Sequence, residues 1–175
     1  MRSPTPLAQS VAQRAWNLRR FDALVASGRK VFDFTSAGSS GRTPAELCDQ
    51  LALPILDCRL VVDIRDTPFS VHTPSWNQPI LRKIVEDRGL EYVHRPDLGV
   101  PPAVREPFKS GKVGPSALFH WYDTQVATPD KLQEVRPLLT RHPLFLCTEL
   151  APTLCHRHRL ALALERALDL VSLDV

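Results

Sequence analysis

Apolar residues recur along this chain in two rhythms, one with helical spacing and one of short near-continuous runs, and the two alternate. Residues 8–27 carry Val11, Ala15, Leu18, Phe21, Leu24 and Val25 at helical spacing, with Arg14, Arg19 and Arg20 among them. That spacing predicts an N-terminal helix with a solvated basic face. Residues 30–35 alternate apolar and polar, as a strand does, and lead into a loop of small residues, Ser36, Ala37, Gly38, Ser39, Ser40 and Gly41, ending at Arg42. Thr43, Pro44 and Glu46 follow in the order of an N-cap, a first-turn proline and the second member of a capping box. Residues 58–64 (CRLVVDI) are almost unbroken in apolarity, the pattern of a parallel strand covered on both faces.

Three prolines and Trp76 make residues 67–79 an irregular connection, before Ile80, Ile84 and Val85 restore helical spacing over 79–89. Residues 90–94 read as a third short strand, and 99–112, rich in proline, glycine and charge, as a long loop or flap. Residues 115–126 and 129–140 read as helices, 144–147 as the last strand and 157–170 as the last helix. This order predicts the α/β class: a three-layer unit with a mainly parallel sheet and helices on both faces. At 175 residues and 43% hydrophobic content, one core is expected. The chain divides into a helical extension over 1–29 and a single α/β domain over 30–175.

A net charge of +3 and a pI near 8.8 suit a small anionic ligand but fall below the charge density of a dedicated nucleic-acid binder, so nucleic acid is the weaker expectation for a partner. No apolar run approaches the roughly 18 residues of a membrane span, and the first seven residues, with one arginine and two prolines, carry no export signal. A soluble, cytoplasmic chain with no membrane partner is expected. The four cysteines are then reduced thiols. Cys48 and Cys58 fall in apolar surroundings and read as small buried hydrophobes.

Chemistry concentrates in Cys147, Thr148, Glu149 and Cys155, His156, Arg157, at a predicted crossing from strand to helix, the edge at which open α/β sheets bind ligands. A thiol at a helix start beside His156 and Arg157 has its pKa lowered, which makes Cys155 a candidate nucleophile. Glu149 is a candidate general base, and Cys147 a thiol partner or substrate contact. Metal ligation by Cys147, Cys155 and His156 ranks lower, because the seven residues between the thiols exceed the tight spacing of structural zinc sites. A packing role for Cys147, with the Cys155–Arg157 corner bracing the helix, is the plain alternative.

Three further groups belong to the same predicted edge. In the small-residue loop, Gly38 and Gly41 suit either a tight turn or close approach of amides to an anion, with Ser39, Ser40 and Arg42 as contacts. The P-loop lysine and the three-glycine dinucleotide fingerprint are both missing. Asp63 and Arg65 stand two apart at a strand end and point one way, either to orient substrate or as a structural ion pair. His94 ends the next strand, where packing and catalytic roles compete.

Four stretches in order, SAGSSGRTPAEL (36–47), VVDIRDTPFS (61–70), EYVHRPDLG (91–99) and LCTELAPTLCHR (146–157), resemble the motifs of the bacterial and archaeal proteins grouped as domain of unknown function 488. The likeness spans residues 31–170. It implies a single-domain α/β fold, marks Asp63, Arg65, Cys147, Glu149, Cys155, His156 and Arg157 as motif positions, and supplies no established activity, leaving the cofactor unknown. Where members often carry two glycines after the Pro-x-Leu element, this chain has Gly99 and Val100.

The expectation is therefore an enzyme for a small anionic, nucleotide-like substrate. Amides of 36–41 would hold the anion, Asp63 and Arg65 would orient the substrate, and Glu149, Cys155 and His156 would carry the chemistry. The alternatives are a non-catalytic nucleotide or nucleic-acid binding module using Arg42, Arg65 and Arg157, and a thiol-based redox or metal sensor. The apolar face of the N-terminal helix also suggests a homodimer.

Overall fold

A computed structural model describes residues 6–175, with side chains from Val11 onward. The first five residues of the expected extension lie outside the described range. Twelve elements follow: α1 (Pro6–Ser27), β1 (Phe34–Gly38), α2 (Pro44–Leu51), β2 (Leu60–Asp63), α3 (Gln78–Asp87), β3 (Glu91–His94), α4 (Pro102–Lys109), α5 (Pro115–Gln125), α6 (Pro129–Val135), β4 (Leu144–Cys147), α7 (His156–Leu168) and β5 (Ser172–Asp174). Short 3-10 turns fill several connections. No helix among the described residues is long and apolar enough to cross a membrane.

The five strands form one sheet in the order β3-β2-β4-β1-β5, and every pairing is parallel. Alternate side chains take opposite faces. Leu60, Val62 and Phe145 pack with Leu118 and Tyr122 of α5, Leu132 and Val135 of α6 and Leu160 and Leu164 of α7. Val61, Leu144 and Leu146 pack with Leu47 and Leu51 of α2 and Leu81 and Val85 of α3. The α/β class with helices on both faces is thus as expected.

The central strand β4 follows β3 in the chain yet lies between β2 and β1. The helices that follow β1 and β2 cover one face and the helix that follows β4 covers the other. Connections leaving adjacent strands toward opposite faces open a crevice at their carboxyl ends. That crevice lies beyond Gly38, Asp63 and Cys147.

Three boundaries differ from the expectation. β1 runs through Ser36 and Gly38, so the first half of the supposed loop is strand, small because it is packed on both faces. Residues 102–109, expected as loop, form α4, in which Pro102 occupies a first-turn position and Pro107 is accommodated near the end. β5 was not foreseen. It pairs with β1 and supplies Asp174. The capping box is formed, with the Thr43 hydroxyl accepting from Glu46 N at 3.3 Å and Glu46 Oε2 accepting from Thr43 N at 2.7 Å.

Candidate functional site

β4 delivers Cys147, and α7 begins at His156 with Cys155 as its N-cap residue. The loop between them is fixed from beneath by Arg157, which is 0% exposed. Its guanidinium donates Nη1 to the Glu149 carbonyl, Nη2 to the Leu150 carbonyl at 2.8 Å, and Nε to Asp174 Oδ1 at 2.8 Å. Asp174, also 0% exposed, accepts from Ser36 Oγ at 2.6 Å. Burial opposes the charge on Arg157, but Asp174 and the neighbouring Cys155 hold its pKa above the ordinary value. Arg157 is therefore a positioning residue.

Gly38 seats the same loop. A Cβ there would stand 1.9 Å from the Glu149 carbonyl oxygen, so only glycine lets the loop lie on β1. The Ser39 and Ser40 amides donate to the Cys147 and Thr148 carbonyls at 3.0 Å each, and Ser40 Oγ donates to Thr148 O at 2.7 Å. Those two amides are spent on the start of the Cys147–Cys155 connection. Arg42 donates to Gln50 Oε1 at 2.6 Å and stays outside the cavity.

Asp63 and Arg65 form a buried bidentate pair, Nε to Oδ1 at 2.8 Å and Nη2 to Oδ2 at 2.6 Å. Tyr92 Oη donates to Asp63 Oδ2 at 2.7 Å, and Arg65 Nη2 donates to the Trp76 carbonyl at 2.9 Å. With its oxygens occupied and 0% exposure, Asp63 holds Arg65 and has no capacity left for acid-base work. His94 Nε2 lies 2.8 Å from the Arg65 carbonyl and braces the same corner. Of these three, Arg65 alone reaches the cavity wall.

The cavity holds about 50 Å³, room for a small ion or one or two waters. Its floor is Cys147, Glu149, Cys155 and His156; its walls include Arg65, Val100, Arg105, Phe108, Lys109 and Leu118. Val100, which replaces the second glycine of the resembled motif, thus puts a side chain into the wall. Arg105 and Lys109, one turn apart on α4, were missed because their segment read as a flap. Arg105 Nε is buried with no hydrogen-bond partner, a vacancy that a buried donor rarely tolerates.

The floor groups are mutually coupled. Cys147 Sγ lies 3.3 Å from Glu149 Oε2 and 3.7 Å from His156 Nδ1, and Cys155 Sγ lies 3.9 Å from that same nitrogen. The donor atoms of Cys147, Cys155 and His156 fall within 4.8 Å of one another, a grouping that could hold a metal ion. Burial resists ionisation of Cys155, yet the Cys147 thiol, His156 and Arg157 outweigh it and hold its pKa well below the thiol range. Burial and the Cys155 charge push Cys147 upward, so it stays a thiol. Burial, and then Cys155, raise Glu149 to about 7. For His156 burial is overcome by Cys155 and Glu149, and its pKa rises. The floor therefore sets a Cys155 thiol shifted toward ionisation beside a His156 shifted toward protonation, with the Cys147 thiol pushed the other way and the Glu149 carboxyl raised to about 7. Cys48 and Cys58 are buried free thiols, and burial pushes Cys58 up to about 11, in keeping with a packing role.

The family model described as Domain of unknown function DUF488 matches residues 46–164. No curated protein and no solved structure matches the chain.

Proposed function

The chain belongs to the family described as Domain of unknown function DUF488, and from the geometry of its site we propose an enzyme that attacks a small anionic substrate with the Cys155 thiolate. The observation that carries this reading is the shared cavity. Cys155, its pKa lowered in part by His156, stands on its floor, and Arg105, whose Nε has no partner in the fold, and Lys109 line its walls. An anion binding between them would be held by the charges of Arg105 and Lys109 and face the nucleophile. Cys155 Sγ would form a bond to the electrophilic atom while the leaving group departs with its electron pair and takes the Glu149 proton. Water, losing its own proton to the Glu149 carboxylate, would then release the second product and regenerate the thiolate. A cavity of about 50 Å³ favours a compact anion over a nucleotide.

Paired alkylating probes test this. Anionic iodoacetate should label Cys155 faster than neutral iodoacetamide, labelling should persist below the ordinary thiol pH range, and inorganic phosphate should slow it. Arg105→Met should abolish the preference for iodoacetate. Slow labelling that follows an ordinary thiol pKa sinks the nucleophile. A non-catalytic binding module predicts phosphate protection without any depressed Cys155 pKa.

One observation favours a second reading, a soft-metal centre. In a tetrahedral zinc site with Zn–S near 2.3 Å and Zn–N near 2.0–2.1 Å, sulfur and nitrogen stand roughly 3.6 Å apart. The separations from the two thiols to His156 Nδ1 are 3.7 and 3.9 Å, and Glu149 Oε2 stands beside Cys147 as a fourth donor. Native mass spectrometry separates the readings: a chelator-removable metal that shields both cysteines from labelling selects the metal centre.

A further inference from the structure

Helix α1 has two apolar faces, and the fold uses one. Trp16 and Leu24 are each 3% exposed. Gln13 Nε2 donates to Asp174 Oδ2 at 3.0 Å, and Arg20 Nη1 pairs with Glu165 Oε2 at 2.9 Å, so the inner face is fixed to β5 and α7. On the outer face Val11 is 61% exposed, Leu18 61%, Phe21 48% and Val25 66%. At 3.6 residues per turn, Val11 and Val25 lie about 20° to either side of Leu18. The three therefore make one apolar ridge along the helix, with Phe21 beside it. An apolar residue at every seventh position is the seam of a helix that packs on another helix, not the polar outer face of a surface helix.

The order of residues identifies the other helix. Counting outward from Leu18, Val11 stands seven before and Val25 seven after, Arg14 four before and Asp22 four after, Ala15 three before and Phe21 three after. A two-fold axis through Leu18 that relates two antiparallel copies sets Val11 level with Val25, Ala15 level with Phe21, and Leu18 against itself. It also brings Arg14 level with Asp22 at both ends. Both charged residues are exposed. An isologous interface requires this self-complementarity, whereas a partner of unrelated sequence gives no reason for it.

We propose that the chain forms an antiparallel homodimer through the outer ridge of α1, crossing at Leu18. One helix face is a small contact area, so the association is micromolar. The ridge lies on the side of α1 away from β5, leaving the Cys155 cavity unchanged by association.

Sedimentation of the full chain over a dilution series from about 200 to about 1 µM should show a mass falling from near twice 19.6 kDa to 19.6 kDa. Leu18→Glu should be monomeric throughout, with unchanged circular dichroism and Tm. Arg14→Asp and Asp22→Arg should each weaken the dimer, and the double swap should restore it, a control that does not depend on how Leu18→Glu folds. For orientation, Val11→Cys mixed with Val25→Cys should give the mixed disulfide in preference to either self-crosslink. A monomer at the highest concentration, a dimer indifferent to Leu18→Glu, or dominant self-crosslinks would each overturn the proposal.

Discussion

Glu149→Gln asks whether the floor of the cavity keeps an acid protonated near neutral pH. Burial and the neighbouring Cys155 thiolate raise the Glu149 pKa from 4.5 to about 7. Below about pH 4 the folded and unfolded chains both carry the proton, and this group adds no pH dependence. Between 4.5 and 7 the folded chain alone retains it, so stability falls as pH rises through that window and the loss is complete above it. At 1.36 kcal/mol for each pKa unit, the full shift is worth about 3 kcal/mol. Glu149 keeps part of its surface open, which places the realised value at or below that figure. Glutamine matches the protonated acid in shape and has no charge to bury. The two proteins should therefore be nearly equal in stability at pH 5, with the variant ahead by up to about 3 kcal/mol at pH 8, or roughly 6–12 °C in Tm for a chain this size. Urea and thermal denaturation of both proteins at pH 5, 6, 7 and 8 measure the gap. A gap that stays flat with pH, or that favours the native chain at pH 8, refutes the raised pKa and removes Glu149 as proton donor.

Two substitutions test the support beneath the site. Asp174→Ala leaves the Arg157 charge buried without its carboxylate and should cost about 3–5 kcal/mol, read by urea denaturation; a loss under 1 kcal/mol would show that Arg157 finds other partners. Gly38→Ala pushes a Cβ against the Glu149 carbonyl and should both destabilise by about 1–3 kcal/mol and slow alkylation of Cys155. Gly41→Ala, with a φ of +80° and nothing within 4 Å, should cost about 1–2 kcal/mol of backbone strain with labelling unchanged. Equal effects of the two on labelling would contradict the seating role of Gly38.

The rhythm of short apolar runs and helical spacings was enough to read the layers, because the inner strands β2 and β4 are covered on both faces and carry almost no polar residue to confuse the pattern. The capping box at Thr43 was legible for the same reason, since its whole signal lies within four residues. Elements fixed by distant partners were not legible. Ser36, Ala37 and Gly38 looked like a loop because they are small, but their size answers to Asp174 and to the Glu149 carbonyl, both far along the chain. β5 is three residues long and exists to pair with β1 and to neutralise Arg157. α4 hid behind its prolines, although Val104 with Phe108 and Arg105 with Lys109 repeat at one-turn spacing. That repeat is the signal that could have placed two cations at the cavity.

The charged motif residues sort by whether their bonding capacity is exhausted. Arg157 and Asp63 are buried and saturated, by Asp174 with two carbonyls in one case and by Arg65 with Tyr92 in the other. Such groups hold geometry, because breaking any of their bonds to engage a ligand leaves a buried charge uncompensated. Cys155, His156, Glu149 and Arg105 differ. Each lines the cavity, and Arg105 Nε has no partner in the fold. Asp63 and Arg157 are prominent in the sequence as motif residues, but prominence of that kind does not distinguish a brace from a reactant. Unspent capacity next to open space is the criterion on which the proposed roles of Cys155, His156, Glu149 and Arg105 rest, the last an arginine that the motifs do not contain.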